Sequence, residues 1–196
     1  MSILSDAEIK ELALEQGMIE PFVGECVREE DGRKVLSYGL SSYGYDIRLA
    51  ENQCFVFGMT PKGWNDVKDF DSKRSLKKLE LKEDETGKYF WMPPHSYVLG
   101  VAEELLKLPR DVTVVAVGKS SYARIGILCN ITPAEAGWEG HLTLEIANMS
   151  PDFNKLYANE GVTQLIFHRG APCETSYQDR KGKYQNQKKK VVFCKV

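Results

Sequence analysis

The chain has 196 residues, of which 42% are hydrophobic and 28% charged, as in a globular domain that buries a sizeable core. Its 26 basic and 28 acidic side chains give a net charge of -2, which excludes a global positive field attracting nucleic acid or an anionic membrane. The five cysteines are odd in number and never form a C-x-x-C pair, which argues against a disulfide framework or a zinc knuckle. We expect one domain over residues 1–196, with reduced thiols.

The first predicted element is a helix that follows Ser5. Ser5 and Glu8 form a capping-box pattern. Ile9 and Leu12 then recur at helical spacing, and Gly17 supplies a C-terminal stop. Acidic residues interrupt this stretch where a signal peptide would need an apolar run, and no run approaches the roughly 20 apolar residues that span a bilayer. We therefore expect a cytoplasmic protein with no membrane partner.

Short apolar runs rich in Val, Ile, Tyr and Phe follow the helix and alternate with Gly, Pro, Asn and Asp clusters. The predicted strands are 44–50, 53–57, 96–102, 112–117, 126–131, 141–148 and 162–168. Several short strands at close intervals are typical of an all-β sandwich or barrel. The sequence therefore predicts a mainly β fold.

Two polar segments stand apart from these strands. Residues 66–90 are strongly charged with few aromatics, which indicates a solvated insertion with no chemistry assigned to it. Residues 176–196 are polar and basic and, taken alone, resemble a flexible tail. Tyr177, Lys183, Tyr184 and Gln187 are nevertheless side chains suited to ligand contact. We therefore expect this tail to close over a site as a lid.

The stretch 117-VGKSSYARIG-126 places Lys119, Ser120 and Arg124 between two predicted strands. A phosphate-binding P-loop would need a glycine five residues before Gly118, and Thr113 stands there, so that motif is excluded. What remains is a loop with hydroxyl and amide donors and two cations suited to a polyphosphate. A surface turn with solvated charges is the open alternative.

The strand 141–148 alternates strictly, with Leu144 on one face and Thr143 and Glu145 on the other. A carboxylate in the middle of a strand is either a solvent-exposed group or a functional group in a cleft, where desolvation raises its pKa towards use as a general base. The pattern alone favours the exposed position.

Two other hydrolytic chemistries lack their signatures. No G-x-S-x-G elbow exists, and His95, His141 and His168 lie in no recognisable catalytic setting. The H-x-E and P-C-x-x-C signature of the zinc deaminases is also missing, because Pro172-Cys173 is followed by Glu-Thr-Ser. Zinc chemistry is therefore not expected.

Five stretches together match a known pattern in order and spacing. They are 37-SYGLSSYGYDIRL-49, 118-GKSSYARIG-126, 131-ITPAEAGWEGHLTLEIAN-148, 157-YANEGVTQLIF-167 and 177-YQDRKGKYQNQ-187. They resemble the bacterial dCTP deaminases of the dUTPase superfamily, and the likeness runs from the N-terminal helix to about Gln187. The resemblance implies a distorted jelly-roll β-sandwich or barrel with few short helices, assembled as a homotrimer with active sites at subunit interfaces.

The activity that the resemblance implies is deamination of dCTP to dUTP and ammonia. The dUTP would feed the synthesis of dUMP and dTTP. The substrate would carry Mg²⁺ on its triphosphate, and no zinc would be needed. Glu145 would act as general base and acid, Ser120 would position water and phosphate, and Arg124 would be the companion cation. The wider substrate-binding set implied by position is Lys119, Ser120, Ser121, Tyr122, Ala123, Arg124, Thr143, Leu144, Glu145, Gln164, Tyr177, Lys183 and Gln187.

One departure and three alternatives accompany the resemblance. The stretch 133-PAEA-136 is shorter than in the enterobacterial form and lacks an arginine found there. A bifunctional relative would hydrolyse dUTP onward to dUMP and pyrophosphate. A plain dUTPase is disfavoured because 135-EAGW-138 replaces its aspartate and tyrosine motif. A catalytically silent nucleotide-binding protein is disfavoured by the presence of Ser120, Arg124 and Glu145. dTTP is a candidate inhibitor.

Overall fold

The computed structural model describes residues 2–60, 62–130 and 132–195 and has a mainly β fold. The helices are α1 (Asp6–Gln16), α2 (Ser72–Ser75) and α3 (Ser120–Ala123). The strands are β1 (Ser2–Ile3), β2 (Ile19–Glu20), β3 (Cys26–Glu30), β4 (Arg33–Ser41), β5 (Gly44–Phe57), β6 (Leu76–Lys78), β7 (Leu81–Asp84), β8 (Gly87–Met92), β9 (Ser96–Lys107), β10 (Val112–Gly118), β11 (Ile127–Asn130), β12 (Glu139–Asn148), β13 (Asn154–Tyr157) and β14 (Gly161–Arg169).

The main sheet is antiparallel and curls back on itself. Its strands follow the order β14, β10, β11, β12, β9 and β5, and β5 pairs again with β14. Strands β4 and β3 continue from β5, while β13, β8 and β7 form a second sheet. The predicted fold class, a distorted β-sandwich or barrel with an N-terminal helix and few short helices, is confirmed.

Helix α1 begins and ends where the sequence predicts. The backbone N–H of Ser5 donates to Glu8 Oε2 at 2.9 Å, and the Ser5 hydroxyl accepts from the Glu8 N–H, which completes the capping box. Gly17 ends the helix with a φ of 65°, a conformation that costs glycine little. Ile9, Leu12 and Ala13 are the buried residues of the helix.

The strand predictions are correct in position and differ in their boundaries. The runs 44–50 and 53–57 belong to one strand, β5, whose pairing with β9 shifts register between Leu49 and Cys54. Glu51 and Asn52 lie at this irregularity, so polar residues break the apolar pattern without ending the strand. The prediction 126–131 corresponds to β11, and its last residue, Ile131, lies outside the described residues.

The charged segment 66–90 is only partly the solvated insertion that its composition suggests. Most side chains from 66 to 86 are exposed, and α2, β6 and β7 lie in this part. Strand β8 differs, because Tyr89 is 7% exposed and Phe90 is 1% exposed in the core. High local charge concealed a core strand, of which Tyr89 and Phe90 lie at the end of the segment.

A buried ion pair joins the central strands β5 and β9. Glu104 is completely buried, and it accepts from the Arg48 backbone N–H at 2.9 Å and from Arg48 Nε at 2.8 Å. The Arg48 guanidinium also lies 4.7 Å from the centre of the Tyr38 ring. Because the Glu104 carboxylate has no access to water, the two hydrogen bonds that Arg48 donates take the place of those that water would donate.

Replacing Glu104 with Gln should lower the free energy of unfolding by about 3–5 kcal/mol, because Arg48 would remain buried without its counter-charge. Urea denaturation followed by tryptophan fluorescence measures the loss. Glu80→Gln is the matched control, since Glu80 pairs with Lys82 at the surface. Equal effects of the two substitutions would contradict a structural role for the buried pair.

Candidate active site

Strand β12 presents alternate side chains to the core and to a cleft. Leu142, Leu144 and Ile146 are buried, whereas Thr143 and Glu145 are half-buried on the opposite face. The cleft outside this face has a volume of about 820 Å³. Its walls come from β5 and β9 (Phe57, Tyr97, Leu99), the loop 132–138, β12 (Thr143, Glu145) and the tail (Tyr177, Lys183, Gln187).

Glu145 is the carboxylate suited to proton transfer in this cleft. Glu145 is paired with Leu99 of the neighbouring strand β9. Burial raises the pKa of Glu145 above the ordinary value of a glutamate. The pKa of Tyr97 is also raised, first by burial and then by the negative charge of Glu145. A carboxyl group with a raised pKa accepts a proton more readily than an ordinary glutamate, as a general base requires. The exposed position that the pattern favoured for Glu145 is therefore wrong.

The tail is docked against β12 and the loop before it. The Trp138 indole N–H donates to the Tyr184 carbonyl at 2.9 Å, and the His141 backbone N–H donates to the Gln187 carbonyl at 2.9 Å. The Thr143 hydroxyl donates to the Gln187 side-chain oxygen at 3.2 Å. Tyr177, Lys183 and Gln187 therefore line the same cleft as Glu145, and the flexible-tail alternative does not describe this structure.

Gly140 permits the tail to approach the main chain of β12. Its φ is 148°, and a Cβ at this position would lie 2.7 Å from the Gln187 backbone nitrogen. That distance is shorter than real Cβ contacts allow. Gly140 and Gln187 are paired in an isolated parallel bridge, so the absence of a side chain is what admits the tail here.

Lys119 is held by partners within the chain. Its ammonium donates to Ser37 Oγ at 3.0 Å and forms an ion pair with Asp46. Burial raises the pKa of Asp46, and the Lys119 charge opposes that rise. An ammonium has three N–H donors, so these two partners leave one donor for a ligand. Asp46 was not identified from the sequence, although an acidic residue between Tyr45 and Ile47 in a strand was an available signal.

The residues after Lys119 form helix α3, a single turn where the sequence predicted a loop. The Ala123 N–H donates to the Lys119 carbonyl at 3.0 Å, and Arg124 Nη1 donates to the Ser120 carbonyl at 2.9 Å. Ser120, Ser121, Ala123 and Arg124 are exposed. None of these four residues lines the Glu145 cleft.

Three further predicted substrate-binding residues, Tyr122, Leu144 and Gln164, also lie outside the cleft lining. Tyr122 is 4% exposed, and its hydroxyl accepts from the Tyr157 backbone N–H at 2.9 Å. Leu144 is completely buried on the core face of β12, so only its main chain faces the site. Gln164 donates to Ser41 Oγ at 3.2 Å and is paired across the sheet with Asp46, near Lys119.

The predicted residues thus form two groups in one chain. The cleft group contains Glu145, Thr143 and three tail residues, and the second group contains α3, Lys119 and Gln164. Sequence reasoning named Tyr184 as a ligand contact but missed Tyr97 and Trp138, and all three line the cleft. Their shared signal is an aromatic ring beside polar neighbours, which is too common to identify a site.

Two further features concern metals and membranes. In residues 2–60, 62–130 and 132–195, no three His, Cys, Asp or Glu side chains are grouped to hold a metal ion. None of the helices in these same ranges has the length and apolarity needed to cross a bilayer.

Comparisons with known proteins identify the family of this chain. The family model described as dCTP deaminase-like matches residues 3–170. The chain is 47% identical to a dCTP deaminase of Azoarcus sp. (strain BH72) and to one of Rickettsia bellii (strain OSU 85-389). Each match spans 188 residues and covers 95% of this chain and 96% of the relative.

A solved structure supports the fold. It is the crystal structure of 2'-deoxycytidine 5'-triphosphate deaminase from Agrobacterium tumefaciens, which aligns with a TM-score of 0.54 at 18% identity. The alignment covers 86% of this chain and 48% of that longer chain. On the family model and the near full-length identities, this chain belongs to the dCTP deaminase family of enzymes.

Proposed function

We propose that this protein hydrolyses the amino group of dCTP, giving dUTP and ammonia, in the cytoplasm. The observation that carries the proposal is Glu145, a half-buried carboxyl group with a raised pKa in a cleft of about 820 Å³. The relatives named dCTP deaminase support the substrate. One catalytic domain over residues 1–196 would perform the reaction, with residues 176–196 as its lid.

Glu145 would move protons in both halves of the reaction. It first takes a proton from the water whose oxygen bonds to C4 of cytosine, and then returns it to ring nitrogen N3. After a second proton transfer to the amino group, the C4–N bond breaks and ammonia leaves. The raised pKa of Glu145 supports both roles, because its ionised and protonated forms are closer in energy than for an exposed glutamate.

Ser120 and Arg124 would reach the substrate across a subunit interface of a homotrimer. Neither residue lines the Glu145 cleft of its own chain. Val117 of β10 and Glu145 of β12 are both paired with position 130 of β11, so the two residues lie on the same face of the sheet. This face is apolar, because it carries the exposed side chains Val115, Val117 and Leu128. A neighbouring copy that covers these side chains would remove them from water and could bring its α3 to the cleft.

The phosphates would be held by cations from both groups. Lys119 would offer its remaining N–H, and Lys183 would come from the docked tail, with Tyr177 and Gln187 beside it. Mg²⁺ on the triphosphate would reduce the charge of the bound nucleotide. Phosphate oxygens and water would hold the ion, because the described parts of the chain offer no group of three ligand side chains.

Incubation of the purified protein with dCTP and Mg²⁺, followed by anion-exchange chromatography, tests the proposed activity. We expect dUTP and ammonia to accumulate in equal amounts. Formation of dUMP and pyrophosphate without dUTP accumulation would replace this proposal with the bifunctional activity. Unchanged dCTP would contradict both and favour a nucleotide-binding protein without turnover. Repeating the assay with added dTTP tests inhibition.

Glu145→Gln should lower kcat by about 100- to 10,000-fold, because an amide cannot accept the proton from water. Steady-state kinetics with dCTP measures the loss, and calorimetric titration measures substrate affinity, which should change little. Thr143→Ser is the control on the same strand face, since it retains the hydroxyl that contacts Gln187. Full turnover by the Glu145→Gln protein would refute the assigned role.

The same substitution should not destabilise the fold. The pKa of Glu145 is higher in the folded protein than in the unfolded chain, so ionisation of Glu145 opposes folding. This ionisation lowers the free energy of unfolding as the pH rises through the raised pKa. Glu145→Gln removes that cost. Thermal unfolding should therefore give the variant an equal midpoint at low pH and an equal or higher midpoint at neutral pH.

Mixing two inactive proteins tests whether the site is shared. Co-expression of Ser120→Ala and Glu145→Gln chains in equal amounts should restore about a quarter of the wild-type activity. In a randomly assembled ring, about one site in four combines an intact Glu145 from one chain with an intact Ser120 from its neighbour. Each variant alone should remain inactive, and mixtures of one variant with itself are the control. No recovery in mixed trimers confirmed by mass spectrometry would place the complete site within one chain.

A further inference from the structure

The segment 188–195, here called the C-terminal strap, follows the last motif shared with the deaminases and is fastened to the barrel. Asn52 Nδ2 donates to the Lys189 carbonyl at 2.7 Å, and the Val191 N–H donates to Gln53 Oε1 at 3.0 Å. The Val192 N–H donates to the Thr143 hydroxyl at 3.1 Å. Three bonds to β5 and β12 give the strap a defined path.

Apolar contacts hold the strap along the same path. Val191 is 5% exposed and belongs to a buried cluster with Leu99 and Val101. The Phe193 ring meets the Phe55 ring edge-on, with 5.3 Å between ring centres. Burial of these two side chains contributes a stabilisation that a flexible terminus would lack. The strap is therefore part of the cleft wall.

The strap brings Lys195 to Lys183. Lys183 Nζ donates to the Lys195 carbonyl at 2.6 Å, and Lys195 Nζ donates to the Lys183 carbonyl at 3.1 Å. The Lys195 N–H also donates to the Tyr184 hydroxyl at 3.2 Å. The two ammonium groups lie 5.3 and 5.8 Å from the centre of the Tyr184 ring. Two positive charges are thus fixed around one aromatic ring.

These two cations differ from Arg180 and Lys189 of the tail. Arg180 is paired with Glu135, and Lys189 is paired with Glu103. Within the described ranges, neither Lys183 nor Lys195 has a carboxylate at ion-pair distance, and residues 180–195 contain no Asp or Glu. The main-chain carbonyls and the Tyr184 ring offset only part of the repulsion between the two ammonium groups. An anion placed between the two ammonium groups would offset the rest.

We propose that Lys195 is a second phosphate-binding cation, and that the strap holds it beside Lys183 at the mouth of the Glu145 cleft. Lys183, Tyr184 and Cys194 line that cleft, so the pair lies at its edge. The ligand is the polyphosphate end of the nucleotide, and the inference therefore rests on the proposed function. The pair supplies positive charge at the edge of the cleft, whereas Lys119 lies in the other group of residues and is already partnered by Asp46.

Binding of inorganic tripolyphosphate, measured by calorimetry, tests the pair without any deamination step. Lys195→Gln should weaken binding about tenfold, which corresponds to ~1.4 kcal/mol, and should reduce its salt dependence. The KM for dCTP should rise by a similar factor while kcat stays nearly constant. Lys195→Arg should retain most of the affinity, because it keeps the charge.

Lys188→Gln is the matched control, because Lys188 lies exposed on the same strap and makes no side-chain contact to the cleft in the described structure. It should leave tripolyphosphate binding unchanged. Equal binding by wild type and Lys195→Gln would overturn the inference, as would equal weakening by the two glutamine variants. A wild-type protein that binds tripolyphosphate but never converts dCTP would refute the proposed function and leave the anion site standing.

Discussion

The two-residue alternation of β12 is the constraint on which the core and the cleft both depend. Leu142, Leu144 and Ile146 fill the core, and the residues between them face outward. A slip of one residue would move Glu145 into the core and Leu144 into the cleft. Packing and proton-transfer chemistry are therefore fixed by the same pairing of β12 with β9 and β11. The core residues hold the carboxyl group at one depth, which sets how strongly burial raises its pKa.

The distribution of charge explains how the proposed polyphosphate site is compatible with a net charge of -2. Positive charge is concentrated in the tail, and much of the remainder is balanced locally, as by Asp46 beside Lys119. The buried Glu104 and Arg48 pair likewise adds no net charge to the interior. Attraction of an anion in this protein is thus a local property of the cleft edge, and net charge is a poor guide to it.

Features governed by neighbours in the chain could be predicted from the sequence. The capping box at Ser5 and Glu8 acts over three residues, and the faces of β12 follow from a period of two. The docking of the tail could not be predicted, because it depends on pairs such as Trp138 with Tyr184, which are 46 residues apart. The partnership of Lys119 with Asp46 spans 73 residues. The resemblance predicted a catalytic role for Glu145, whereas its pattern alone favoured an exposed position.

The approach of the tail to Gly140 has a consequence for sequence change over evolution. The contact there is made by main chain on both sides, through the bridge of Gly140 with Gln187 and the bond from the His141 N–H to the Gln187 carbonyl. Main-chain contacts do not depend on side-chain identity, so this point of docking tolerates substitutions on the tail side. Position 140 has no such freedom, since any Cβ would meet the tail. Drift in the tail can therefore retune what it presents to a ligand while this main-chain attachment at Gly140 stays the same.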